Sequence, residues 1–238
     1  MKKVFVVLLS TFLCAFAHDL LIGHADPDET SGVEENIAGD PYYDTVDLED
    51  WRSQTPTVDH LLEYDCVFTW SSMGYADPTA LGNNLADYVD LGGAVAILNF
   101  CWDPSSGLGG RIMNDTDYCP LAPVYDVRDG DRRGDPDMGD YDDLHPIMDG
   151  VASITGIYYW SYLSVLPGAT WLAELTNGYD LAGINADESV VGINMYPGDT
   201  HQWQGDGWLL FNNAIKYLLG DWPGVSEVTW GALKAAFE

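Results

Sequence analysis

The chain has 238 residues, 47% of them apolar, with 38 acidic side chains against 9 basic ones and a formal net charge of −29. It carries enough apolar sequence to bury a full core, and the prior is one large domain with or without a tail. A surface this acidic repels polyanions, which excludes nucleic acid and anionic membranes as partners.

Met1 to Ala17 reads as a signal peptide. Lys2 and Lys3 make a basic start, Val4 to Phe16 is an apolar run too short to span a bilayer, and Ala15-Phe16-Ala17 has the small-x-small pattern of a cleavage site. A first strand over Val4 to Leu9 is the alternative, but the run continues unbroken past strand length. Cleavage predicts a protein secreted to the periplasm or the medium, with no stable membrane anchor. It also removes two lysines and no acidic residue, which makes the mature chain more acidic still.

The mature chain opens with a strand candidate, Asp19 to His24, then a polar stretch and a short helix near Val33 to Ala38. Tyr43 to Leu48 alternates as a second strand, Thr57 to Leu62 makes one or two helical turns, and Cys66 to Trp70 is a third strand. Asp77 supplies a capping oxygen, Pro78 suits the first helical position, and Leu81, Leu85, Tyr88 and Val89 recur at helical spacing. Gly92-Gly93 ends that helix, and Ala94 to Phe100 is an apolar run too short for a core helix, hence a buried strand. Helix, glycine turn and strand apolar on both faces repeat as the unit of an α/β fold. The rhythm predicts a flavodoxin-like, doubly wound, mainly parallel sheet.

Leu108 to Arg111 turns into a helix or loop, and Asp126 to Asp143, with eight aspartates and three arginines, reads as a loop. His145 to Val151 forms a compact turn. Strand candidates follow at Ile154 to Trp160, Thr170 to Leu175, Leu181 to Asn185 and Val190 to Tyr196, with a hairpin signal at Asn177-Gly178. Their close spacing predicts an antiparallel extension at one edge of the sheet. Pro197 to Gly207 is a polar loop, Trp208 to Leu219 a buried final helix, and residues 221–238 a linker and short amphipathic tail carrying Trp230, Leu233 and Phe237. The expected organisation is signal peptide 1–17, one domain over 18–220, and the tail.

In such a sheet ligands bind beyond the carboxyl ends of the strands. That rule selects His24 and Asp26 after the first strand, Ser71 after the third, and Asn99, Cys101 and Trp102 after the fourth, with Trp203 in the late loop. Aromatic faces beside carboxylates and amides suit carbohydrate or another small polar ligand, although aromatics also fill cores. His24 with Asp26, joined by His145 and His201, is the alternative acid–base or metal cluster. Asp129, Asp131, Asp135 and Asp137 could hold calcium as hard oxygen ligands; the competing reading is a solvated acidic loop, and no other cofactor is implied. Cys101 and Cys119 could pair in an exported protein, while Cys66 reads as a small core residue. Nothing in the sequence speaks to oligomeric state.

Several landmarks occur in order: Leu85-Ala86-Asp87-Tyr88-Val89-x-x-Gly92-Gly93-x-Val95, Leu108-Gly109-Gly110-Arg111, His145-Pro146-Ile147-Met148-Asp149-Gly150-Val151, and Gly192-Ile193-Asn194 before the last helix. Together they resemble the trehalose-utilisation (ThuA-like) family of the class I glutamine amidotransferase-like superfamily, over roughly residues 19 to 220. The resemblance implies the flavodoxin-like sheet and an association with sugar metabolism or sugar binding. Family members often carry histidines at positions resembling His145 and near His201, and often end the fourth strand in a histidine where this chain has Leu98. Amidotransferases place their nucleophilic cysteine on a Gly-x-Cys-x-Gly elbow after that strand. Here the stretch is Leu98-Asn99-Phe100-Cys101-Trp102, without either glycine and with Cys101 beyond the expected place, so the thiol chemistry is expected to be absent.

Overall fold

The computed structural model describes residues 18–27, 30–124, 135–198 and 203–220. The expected signal segment 1–17, the expected tail 221–238, His201, Asp129 and Asp131 lie outside them. Strand β1 (Asp19–Ala25) is buried along almost its whole length, with Leu20, Leu21 and Ile22 fully covered. Burial on both faces requires helices on both sides of a parallel sheet, and that is the arrangement found. β1 pairs in parallel with β2 (Thr45–Asp50) on one side and β3 (Cys66–Ser71) on the other. β3 pairs with β4 (Ala94–Leu98), and β4 with β11 (Val190–Ile193), again in parallel.

Beyond β11 the direction reverses. β10 (Asp180–Ile184), β9 (Thr170–Leu175) and β6 (Met138–Tyr141) add antiparallel strands, so the eight-stranded order is β2-β1-β3-β4-β11-β10-β9-β6. Two short pairs lie outside this sheet: β5 (Leu121–Pro123) with β8 (Leu163–Val165), and β7 (Ile154–Thr155) with β12 (Gln204–Gly205).

Alternation along each strand feeds two apolar layers. Leu20, Ile22, Phe68, Ala96, Leu98 and Ile193 face α5 (Gly207–Leu218), which buries Leu210, Phe211, Ala214 and Ile215. Leu21, Val67, Val95, Ile97 and Val190 face the other way, onto Leu81, Leu85 and Tyr88 of α3 (Pro78–Asp90). The Asp77 side chain accepts from the Ala80 amide at 2.9 Å and Pro78 opens the helix, as its capping chemistry requires. Gly92, at φ 97°, supplies the left-handed turn into β4.

The structure departs from the sequence reading in several places. β2 lies two residues later than the alternation indicates, because Asp19 pairs with Thr45 and His24 with Asp50. The helix before it is only α1 (Ser31–Val33) running into a π-turn, Glu34–Ala38. The helical turn α2 is Val58–Leu61, and α4 (Gly110–Asn114) follows the Leu108-Gly109 turn. Ile154 to Trp160 is not one strand: pairing stops at Thr155, and the Ser161 amide goes to the Asn194 side chain at 2.7 Å instead of a neighbouring strand. The acidic segment contains β6, paired to β9 through an irregular register that pure loop chemistry conceals. Cys101 and Cys119 do not form a disulfide; both are free, buried thiols, as is Cys66. Among the described residues no helix is long and apolar enough to cross a membrane.

Candidate functional site

The order β2-β1-β3-β4 places the topological switch between β1 and β3, the position where open α/β sheets leave a crevice. β1 brings His24 and Asp26 to its rim, β3 brings Trp70 and Ser71, β4 leads into Asn99 and Phe100, and Tyr196 follows β11.

Asp26 organises the floor. It is 2% exposed, and its Oδ2 accepts from the Trp70 indole Nε1 at 3.2 Å and from the Tyr196 hydroxyl. Tyr196 therefore reaches from the end of β11 across to β1, and its ring touches Phe100 and Tyr159 on the way, with centroids 5.5 and 5.1 Å apart. Phe100 and Tyr159 are themselves only half-buried and meet edge to face at 5.2 Å. Trp203 supports this wall from beneath, donating its indole N–H to the Tyr196 carbonyl at 3.0 Å and packing on Trp208 and Phe211. Met73 stands on the rim, 66% exposed, its amide bonded to the carbonyl of Ala25.

His24 stacks on Trp70 with centroids 5.2 Å apart, and its Nδ1 accepts from the Asp26 amide at 3.2 Å. Accepting at Nδ1 leaves the proton of the neutral ring on Nε2. Desolvation by burial lowers the pKa of His24, with the Asp50 carboxylate working against that, so the ring is held neutral. Asp50 is itself clasped by Arg52, with contacts down to 2.6 Å.

Asn99 is fully buried at the end of β4. Its Oδ1 accepts from Ser161 Oγ at 2.8 Å, and Nδ2 has no hydrogen-bond partner among the described residues. Exchanging the amide's oxygen and nitrogen does not remove the problem, since the single Ser161 contact then satisfies nitrogen and strands oxygen. A buried polar atom without a partner is uncommon in folded proteins and calls for an explanation such as a bound group. Ser71 is differently placed: its hydroxyl donates to the Ser106 carbonyl and accepts from the Gly74 amide, so it ties two loops together.

Other residues selected from the sequence turn away. Cys101 enters the α3-side layer, where Tyr75 Oη lies 3.3 Å from its sulfur, and burial pushes its thiol up to about 12. A thiol that resists ionisation and touches no imidazole among the described residues is a poor nucleophile. Trp102 packs in the same layer and spends its N–H on the Leu121 carbonyl at 3.1 Å. His145 accepts from the Ile147 amide, capping a 3₁₀ turn (Pro146–Met148), and lies against Tyr217 with centroids 5.0 Å apart. Tyr217 in turn bonds Glu188, beside the Ser189 carbonyl that receives the amide of Val95 in β4. His145 therefore sits at the amino end of the parallel strands, opposite His24.

Asp137 is used structurally, its Oδ1 accepting from Gly156, and Asp135 belongs to no cluster of metal-ligating side chains among the described residues. The sequence reading missed Phe100, Tyr159, Tyr196 and Met73. Tyr196 was within reach, because the strand-end rule that selects Asn99 applies equally to the end of β11. A shallow open depression of about 440 Å³ lined by Asn83, Arg111, Asn114 and Asp115 lies elsewhere; its amides and guanidinium are already engaged, so the crevice is the better site.

Sheet order, a mainly parallel sheet with antiparallel edge strands, and apolar layers on both faces define a flavodoxin-like α/β fold. Within that class the fold is similar to that of a solved protein described as ThuA-like. A protein from Bacteroides uniformis described as ThuA-like superposes with a TM-score of 0.61 at 14% identity, over 86% of this chain and 92% of that one. A cytoplasmic protein from Salmonella typhimurium gives 0.57 at 13% identity, covering 84% and 98%. A second cytoplasmic protein, from the LT2 strain of the same organism, also gives 0.57 at 13% identity, covering 84% and 99%. At these identities the likeness is one of fold. No protein-family model and no curated protein sequence matches the chain.

Proposed function

We infer that this is an exported binding module that holds a small, hydroxyl-rich ligand, with carbohydrate as the leading class, in the β1–β3 crevice and performs no amidotransferase chemistry. The observation that carries the reading is the unpartnered amide of Asn99, buried next to half-exposed Phe100 and Tyr159 rings. Aromatic faces with a few fixed polar groups are what a sugar ring requires. The test is calorimetry of the mature protein against neutral mono- and disaccharides, with Asn99→Leu and Phe100→Ala. Binding to the parent that weakens about tenfold or more in both variants supports the reading; unchanged affinity in both refutes this location.

A second reading, a hydrolase using His24 and Asp26, draws on the neutral imidazole. Against it, Asp26 meets His24 through its backbone amide, while its carboxylate faces Trp70 and Tyr196. A carboxylate that does not orient the imidazole gives no acid–base relay. Export rests on residues 1–17 and on a sheet that begins at Asp19. Amino-terminal sequencing of protein secreted by an expressing cell should return His18 first; an intact Met1 in the cytoplasmic fraction refutes it.

A further inference from the structure

His18, the residue after the expected cleavage site, is held from several sides. It is 7% exposed, its ring stacks on Tyr42 with centroids 5.2 Å apart, and its carbonyl accepts from the Asp44 amide at 3.0 Å. At the next residue the backbone is engaged on its other side. The Asp19 amide donates to Asp65 Oδ2 at 3.0 Å, and the Asp19 carbonyl accepts from the Asp65 amide at 2.8 Å. Asp44 and Asp65 directly precede β2 and β3, so both neighbours of β1 grip its start. Lys216 of α5 lies over the Tyr42 ring, with Nζ 5.0 Å from the centroid and 2.6 Å from Asp40 Oδ2. The start of the domain is therefore closed through Tyr42 by its last helix, and these contacts are complete only when the whole domain has folded.

From this we propose that the bond between Ala17 and His18 is a processing site cut only before the domain folds, so that the precursor crosses the membrane as an unfolded chain and the folded domain withholds the site. The proposal rests on the export reading above and adds the order of events and the class of translocase. Hydrolysis breaks the Ala17–His18 C–N bond: water gives its hydroxyl to the Ala17 carbonyl carbon and a hydrogen to the His18 nitrogen. The new acid's proton passes to the amine, leaving an α-ammonium one residue from the amide that Asp65 binds. A processing peptidase takes its substrate as an extended segment across the cut. In the folded domain His18 and Asp19 are already engaged, so cleavage is limited to the fraction in which the end of β1 opens. The leader fits the same route. Its basic start is Lys2-Lys3 and residues 1–17 hold no arginine, so it lacks the twin-arginine address that sends folded proteins across a membrane.

The experiment presents the full-length precursor, residues 1–238, to a purified signal peptidase in detergent micelles. One sample is the folded parent. The other is Phe211→Asp, which places a charge in the fully buried core under α5 and keeps the chain unfolded without touching the leader. The expected result is a cut after Ala17, read by amino-terminal sequencing, that is at least about tenfold slower on the folded parent than on the unfolded variant. Tyr42→Ala, which removes the ring His18 stacks on, should be cut at an intermediate rate. Should either variant aggregate, amide hydrogen exchange of the mature protein decides the matter. Protection of Asp19 and Leu20 comparable to that of Ile22 supports the proposal, and exchange at the rate of a frayed terminus overturns it. Equal cleavage of folded and unfolded precursor also overturns it and leaves export standing. No cut after Ala17 in either sample overturns the export reading and the proposal with it.

Discussion

Replacing Asp26 by alanine removes the one acceptor shared by two buried donors, Trp70 Nε1 and the Tyr196 hydroxyl. Trp70 is fully buried and Tyr196 is 3% exposed, so neither donor finds water without moving its ring. Each stranded donor costs about 1–3 kcal/mol, and partial relaxation brings the pair to roughly 2–5 kcal/mol. With a urea slope of about 2 kcal/mol/M, that lowers the unfolding midpoint by roughly 1–2.5 M. Asp26→Asn keeps an oxygen in place and loses only the charge assistance, about 1 kcal/mol. Tyr196→Phe deletes one donor and should couple to Asp26→Ala in a double-mutant cycle, since the tyrosine hydroxyl has less to lose once its acceptor is gone. The assay is urea unfolding followed by tryptophan fluorescence. An alanine variant within about 0.3 M of the parent, or an asparagine variant as unstable as the alanine one, refutes the argument that Asp26 is held by these donors.

Other outcomes follow from the same geometry. A Cβ on Gly23 would lie 2.1 Å from the buried Trp51 ring, so Gly23→Ala should destabilise by about 1–3 kcal/mol in thermal or urea unfolding, and a neutral effect would show that Trp51 can move away. Cys101 and Cys119, with thiols pushed up to about 12 and about 11 by burial, should resist a maleimide in the native protein and react fully in urea; fast native labelling contradicts their placement. The histidines should act on stability in opposite directions with pH. His24 and His145 are lowered by desolvation, so the unfolded chain takes up their protons first. Stability present above the ordinary value of 6.5 is then lost as pH falls from there through their folded values. His60 is raised, first by its hydrogen bond to Glu49 at 2.8 Å, so its contribution is complete below 6.5 and lost as pH rises through its folded value. His60→Gln should remove the alkaline part of the stability profile and leave the acid part; an unchanged alkaline limb refutes the assignment.

Much of the fold is legible because local and global preferences agree. β1, β3 and β4 are apolar on both faces, α3 has its cap, its proline and its glycine stop, and the Asn177-Gly178 turn joins β9 to β10. The pieces that escape detection are short or depend on distant partners. β8 is three residues long and exists because β5 lies beside it. β6 hides in an acidic stretch because an edge strand tolerates a half-exposed, charged sequence. The aromatic run Tyr158 to Trp160 looks like a strand by composition, yet Tyr159 packs on Phe100 and Tyr196 while Trp160 packs on Tyr162 and Tyr179.

For the site, the β-α rhythm already indicates which strand ends border a crevice, and hence His24, Asp26 and Asn99, because strand order in a doubly wound sheet follows from that rhythm. How those side chains are used is a property of the packed chain. Whether Cys101 and Trp102 face a ligand or a core depends on the turn after Leu98, and a short turn there separates the crevice from the α3 layer. Whether His145 meets His24 depends on which end of the sheet its turn caps. And that the Tyr196 hydroxyl would reach Asp26 could not be read locally, because a bond between residues 170 positions apart is set by the packing of the intervening sheet.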